Sequence, residues 1–309
     1  MHPLPRTRSA YRDSPAVRVW QHRNYARFMS GLGPYYVTSW MQRVGVGWLA
    51  WELSHSHAWV GAIAAADLAP LVILGPFAGA QADRTDPLHL MRWSQIAMIG
   101  QAVALAVISL GGFMTVGMLL GLSLASGLVQ PYYTAARQMI IPAAVPRADY
   151  PSAITFDSTL FHGSRYIGPM LAAIAIPLFG VASTFLVHVV GCLVFYVMVA
   201  RMDLVALPPA GKPRAGLLGE IAEGFAYTRA HAGIWPLFAM LAVASLVARP
   251  LQELLPGFAG GVFEAGASGL AWLTSSMGVG SLAAGLYLAT RGHVRGLATL
   301  SIVATCVLG

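Results

Sequence analysis

The stretch from Trp59 to Arg84 constrains this chain more than any other. An apolar run closes with Gly75-Pro76-Phe77-Ala78-Gly79-Ala80-Gln81-Ala82, and the pair Asp83-Arg84 follows at once. About 20 apolar residues span the hydrocarbon of a bilayer as a helix. The next apolar run, near Leu88 to Leu110, begins after a very short polar gap. Backbone groups in lipid must be satisfied internally, so the spanning element is a helix or a closed barrel. Strand-like alternation is absent, which argues against a barrel. The two runs predict a tight hairpin of membrane helices. Gly75 and Gly79, four residues apart, predict a face that packs closely on a neighbour.

The same pattern continues along the chain. Spans are predicted over 24–51, 58–82 and 88–110, then one that ends near Ile141-Pro142, one that starts at Pro151-Ser152, and one over 181–200. Gly117 and Gly121 predict a second close-packing face. Gly168-Pro169 predicts a bend, because proline removes a backbone hydrogen bond. Residues 1–23 read as a basic tail, a topology signal in contact with lipid headgroups. No short apolar segment precedes a cleavage site, so a secretory signal is not expected. Residues 201–233 are the longest polar stretch, and Leu217, Leu218, Ile221 and Phe225 give an amphipathic connector. Residues 234–309 read as two further spans and the start of a third. The expectation is a six-helix half over 24–200 and a partial second half, so that the sequence is part of a larger bundle.

Charge separates the function classes. Hydrophobic residues make up 57% and charged residues 10%, with a mean hydropathy of +0.64. A soluble domain carries about 25% charged residues, so this is an integral membrane protein. A net charge of +7 raises the question of nucleic acid. Its distribution points elsewhere. Of the 19 Lys and Arg, three (Arg43, Arg165, Arg249) lie in apolar runs, and the rest are expected in the tail or in alternate loops. That asymmetry predicts a cytoplasmic N-terminus in a bacterial-type inner membrane, with no nucleic-acid partner. In the loop Pro142 to Tyr150, Arg147 is expected opposite Asp149. Cys192 and Cys306 sit in apolar runs and read as free thiols. No metal cluster, nucleophile elbow or phosphate loop stands out, so neither an enzyme nor a cofactor is expected.

Three patches carry a resemblance. They are Gly79-x-x-x-Asp83-Arg84; Ala136-Arg137-Gln138 with Pro142, Val145-Pro146-Arg147 and Arg165-x-x-Gly168-Pro169; and Arg249-Pro250-x-x-Glu253-Leu254-Leu255-Pro256. In this order the chain resembles the drug:proton antiporter branch of the major facilitator superfamily, which includes enterobactin and macrolide exporters, over about residues 20–309. The resemblance implies an all-α fold of two six-helix halves. It also implies a charge-relay latch at Gly79, Asp83 and Arg84 that closes the cytoplasmic side. This chain departs from the pattern just after the latch, with Pro87, Leu88 and His89 where the family usually has basic residues. The implied function is export of a small amphipathic molecule by proton-coupled alternating access, as a monomer in the bilayer. Uptake or lipid movement in the same fold is one alternative, and a non-transporting sensor or scaffold is another.

The candidate site residues are the ionisable groups in apolar runs. Each costs about 2.5–3.5 kcal/mol at a helix centre on insertion scales, so it seeks a partner or a cavity. Arg43 and Asp67 fall in the same half of adjacent spans. They read either as a fixed pair or as an acid that takes a proton and releases the arginine. Asp67 is expected to be the deepest acid and so the first choice of proton carrier, with Asp157 second. Asp157 and Arg165 are eight residues apart, about 12 Å along the axis and 80° around it, so they face one cavity without pairing. Asp157 also reads as an acid of the first helical turns, and Arg165 as part of the bend. Arg249 and Glu253, four apart beside Pro250, read as an extracellular gate or a static pair. Trp40, Met41, Tyr132 and Tyr133 read either as cavity contacts or as packing.

Overall fold

A computed structural model describes residues 15–204 continuously and, beyond them, short pieces between 219 and 280. The longest of these pieces are 226–231 and 257–266. Six long helices follow one another: α1 Arg23–Ser54, α2 His57–Ala82, α3 Pro87–Leu110, α4 Val116–Ala143, α5 Tyr150–Phe179 and α6 Ala182–Ala200. Each lies within a few residues of its predicted span. The breaks sit where local chemistry favours them. Asp86 accepts a hydrogen bond from the Leu88 amide at 3.1 Å, with Pro87 at the first helical position. Thr115 caps α4 through the Met118 amide at 3.2 Å. Gly180, at φ +77°, ends α5 in a conformation that other side chains resist. α5 runs unbroken through Gly168-Pro169.

Sequence neighbours are mostly not packing neighbours. α2 lies chiefly on α4, α3 on α4 and α6, and α1 on α5 and α6. Glycine makes two of these approaches possible. A Cβ at Gly127 of α4 would sit 2.6 Å from the Ala66 carbonyl oxygen and 2.7 Å from that of Asp67. One at Gly168 of α5 would sit 2.6 Å from the Val37 carbonyl oxygen. The predicted glycine faces find no partner among the described residues. Around Gly75, Gly79, Gly117 and Gly121, nothing described comes within 4 Å of a built Cβ. Small residues at spacing four mark a face that a helix can approach, but they do not say which face is approached.

The core is divided along the bundle axis. Tyr25, Phe28, Tyr133 and Phe195 centre a cluster toward the tail end. Leu49, Ile63, Leu119 and Phe185 centre another at the far end. Large apolar side chains such as Val72, Val107 and Leu178 point outward, as lipid contact requires. α2, α3 and α6 are long and apolar enough to cross a membrane by composition alone. α1, α4 and α5 are longer and carry the polar and charged side chains of the cavity wall, among them Gln42, Arg43, Gln130 and Arg137, and Asp157 behind it.

The tail side differs from expectation. Asp149, buried at the start of α5, accepts from Arg18 Nε at 2.8 Å and lies 2.9 Å from His22 Nε2. Arg147 is exposed instead of opposing it. The last turn of the tail is therefore a strap onto α5, which the lipid-headgroup reading missed. The hydrogen bonds from Arg18 and His22 hold the Asp149 carboxyl below the usual carboxylate range. At the far end, the π-helical turn Phe258–Val262 meets the α1–α2 corner. A side chain at Gly260 or Gly261 would collide with the Trp51 ring, and one at Gly257 with His57.

Candidate functional site

A cavity of about 280 Å³ opens between α1, α2 and α4, with Met98 and Gln101 of α3, Phe161 of α5 and His188 of α6 completing its wall. Helical periodicity explains the lining. On α1, Tyr36, Trp40, Arg43 and Gly47 recur at intervals of three and four and share one face. On α2 the lining residues are Ile63, Asp67 and Leu71. On α4 they include Ser123, Gln130, Tyr133 and Arg137.

One ion pair stands on this wall and a second lies partly behind it; their contacts on α1, Arg43 and Tyr36, are about 10 Å apart along the helix. Toward the far end the Arg43 guanidinium donates to the Asp67 carboxylate. Arg43 also lies 5.3 Å from the Trp40 ring centroid, within range of a cation–π contact. Toward the tail end Arg137 of α4 donates to Asp157 Oδ2 of α5 at 2.7 Å. The Tyr36 hydroxyl donates to Asp157 Oδ1 at 3.0 Å, and Arg137 reaches that same hydroxyl. The second cluster therefore ties α1, α4 and α5 together at one carboxylate. Its side chains are the more buried: Asp157 is 13% exposed and Asp67 25%. Asp67 lies nearer the middle of its helix, and Asp157, closer to the start of α5, is the more enclosed. Asp67 lines the cavity, whereas Asp157 sits behind Arg137 and Tyr36.

Arg137 was missed as a charge inside a span. It lies six residues before the end of α4 and reads in sequence as part of a basic loop. A charge that close to a helix end, with an acid early in the next helix, is the signal that points to the pair. Arg165 stacks 5.5 Å from the Trp40 centroid, so one indole lies between two arginines. Asp157 and Arg165 do not pair, in line with their spacing. Asp83 and Arg84 are exposed in the α2–α3 turn, where their backbone amides close the helix end onto Gly79 and Gln81. Trp40 and Tyr133 line the cavity, but Met41 packs on Ala172 and Ile176, and Tyr132 lies at a separate hollow beside Arg84. Arg249 and Glu253 lie outside the described residues, as do Cys306 and most of the predicted connector.

A neutral polar patch faces the charges. Gln42 Nε2 donates to Gln101 Oε1 at 3.3 Å, and Gln101 Nε2 donates to the Leu122 carbonyl at 3.4 Å. His188 of α6 bridges Thr38 at 3.1 Å and Cys192 at 3.3 Å. Among the described residues no group of three or more His, Cys, Asp and Glu is placed to hold a metal.

Known proteins bear on this arrangement in two ways. The family profile described as transmembrane secretion effector matches residues 26–308. The Staphyloferrin A transporter of Staphylococcus aureus (strain NCTC 8325 / PS 47) is 23% identical over 156 residues. That match covers 50% of this chain and 39% of the relative, so less than half of the relative's length is represented.

Proposed function

We propose, for a chain that belongs to the transmembrane secretion effector family of the major facilitator superfamily, a secondary active transporter that exports a small amphipathic molecule against proton influx. The observation that carries this reading is the Arg43–Asp67 ion pair at the edge of a cavity whose wall also holds Arg137. A carrier needs a charge that can be neutralised in place, and a carboxylate that borders a cavity meets that need. The similarity to a Staphyloferrin A transporter supports a small-molecule cargo. The tail and the α2–α3 turn are assigned to the cytoplasm of a bacterial inner membrane, following the positive-inside asymmetry. The latch at Gly79, Asp83 and Arg84 is retained as part of the same proposal, as is the gate at Arg249 and Glu253.

Asp67 remains the proposed proton carrier, on a different ground. It is the acid that borders the cavity, with Arg43 as its opposing charge. Protonation of Asp67 frees Arg43 from its partner, and substrate movement follows from that change in charge. Asp157 is assigned to holding three helices together. The packing of Trp51 and His57 on the turn 257–261 supports contact with the second half at the far end.

The test uses everted membrane vesicles that carry the full-length protein. Acidifying the lumen drives accumulation of a fluorescent amphipath in this account, and collapsing the proton gradient abolishes it. Accumulation that ignores the gradient, or that needs the opposite gradient, contradicts the reading.

A further inference from the structure

The Arg43–Asp67 bond joins α1 to α2, but these two helices pack on each other only lightly. α2 is seated chiefly on α4, so α4 decides how far Asp67 stands from α1. The seat lies at Asp67 itself. A Cβ built on Gly127 of α4 would meet the Ala66 carbonyl oxygen at 2.6 Å, the Asp67 carbonyl oxygen at 2.7 Å and the Asp67 carbonyl carbon at 3.0 Å. All three atoms belong to the α2 backbone, so no change of rotamer relieves the clash. One methyl group here would push the helices apart by roughly half an ångström to one ångström before ordinary van der Waals contact returned. The guanidinium does not simply follow. It rests on the Trp40 ring of its own helix, 5.3 Å from the centroid.

We infer that Gly127 is a positioning residue for the Asp67 carboxylate, because its missing side chain sets the reach from Asp67 to Arg43. Gly127 itself touches neither proton nor substrate. A charge-assisted hydrogen bond weakens as its distance and angle depart from the optimum. A carboxylate less firmly held by an arginine takes up a proton at higher pH. The other charged or titratable groups of the cavity wall are Tyr35 and Tyr36 of α1, Tyr133 and Arg137 of α4, and His188 of α6, with Asp157 of α5 behind Arg137. They are the same in every variant compared below, so a difference between variants reports on Asp67. The inference deepens the transport reading and rests on it for the purpose of that proton. Its test reads the protonation directly and needs no transport.

The test is infrared titration of the full-length protein in lipid nanodiscs. The carbonyl stretch of the protonated Asp67 carboxyl is identified as the band that Asp67→Asn deletes, and the pH at which it is half-developed is recorded. In Gly127→Ala that pH is expected to rise by about one unit, a tenfold weaker hold on the ionised form. Asp67→Glu adds one carbon–carbon bond, about 1.5 Å of reach. It overreaches in the wild-type seat, so its half-point should also rise, by more than the roughly 0.4 units that separate the two free carboxyls. Combined with Gly127→Ala, the longer side chain spans the wider gap, and the half-point returns to within about half a unit of wild type. A loss of helix packing alone gives no such rescue. An unmoved half-point in Gly127→Ala, a double variant no closer to wild type than Gly127→Ala, or the absence of any band that depends on Asp67 overturns the inference. If Gly127→Ala does not fold, Asp67→Glu decides alone, and a shift of about 0.4 units or less overturns it. The expected titrations together with undiminished gradient-driven accumulation by Asp67→Asn would sink the transport reading and leave the positioning role standing.

Discussion

The Arg43–Asp67 and Arg137–Asp157 ion pairs are built from the same residue types and differ in the helices they join and in how enclosed they are. Arg43 and Asp67 join two helices that otherwise touch little, at the edge of a cavity. Arg137 and Asp157 join α4 to α5, with Tyr36 of α1 as a third member, in a more enclosed place. An ion pair that is buried resists losing either partner, because the survivor is left as an uncompensated charge. A pair that borders a cavity can trade its partner for a proton. The contrast assigns structure to the tail-end cluster and chemistry to the far-end pair.

The largest effect expected from that contrast is on stability. Asp157→Asn strips Arg137 of its carboxylate and is expected to cost about 3–5 kcal/mol. Asp67→Asn, beside the cavity, is expected to cost about 1 kcal/mol. Thermal unfolding of the full-length protein in detergent reads both, and equal losses would erase the distinction between the pairs.

Overpacking comes next. Gly127→Leu drives a side chain into the α2 backbone beside Asp67 and is expected to cost at least about 1–3 kcal/mol. Gly79→Leu, with nothing described within 4 Å, is expected to stay within about 0.5 kcal/mol. If Gly79→Leu is the worse of the two in the full-length protein, that face packs on residues outside those described.

Tyr36→Phe takes one donor from Asp157 and keeps its arginine, for an expected loss of about 1–2 kcal/mol. The smallest effect lies outside the bundle, at Asp149. Its folded carboxyl is held below its unfolded range by Arg18 and His22, so its contribution is fully present above the unfolded value of about 4. It is lost as pH falls through the lower folded value. Asp149→Asn should flatten only that acid limb of a stability–pH curve. A change confined to higher pH would show that the strap acts through a different group.

Much of this was legible in the sequence, for physical reasons. Hydrocarbon tolerates no unpaired backbone, so helix limits follow from apolar length and from breakers such as Asp86-Pro87 and Gly180. The Arg43–Asp67 pair was legible because a lone charge in a span has few places to go. Arg137–Asp157 was not, because each lies near a helix end, where water is a ready alternative. Only the crossing of α4 and α5 brings them together. The Asp149 strap was hidden for a similar reason: its partners lie more than 120 residues away. The approaches at Gly127 and Gly168 were not legible, because spacing shows where a helix is smooth, while the partner is set by the whole bundle.

The central claim is that Asp67 carries the proton and Asp157 holds the helices. The direct test is transport by the full-length protein in proteoliposomes, with wild type, Asp67→Asn and Asp157→Asn each assayed for substrate exchange and for accumulation driven by a proton gradient. The account predicts that Asp67→Asn exchanges substrate but does not concentrate it, and that whatever folded Asp157→Asn is recovered still concentrates it. Accumulation by Asp67→Asn at the wild-type level, or exchange without accumulation in Asp157→Asn, contradicts it.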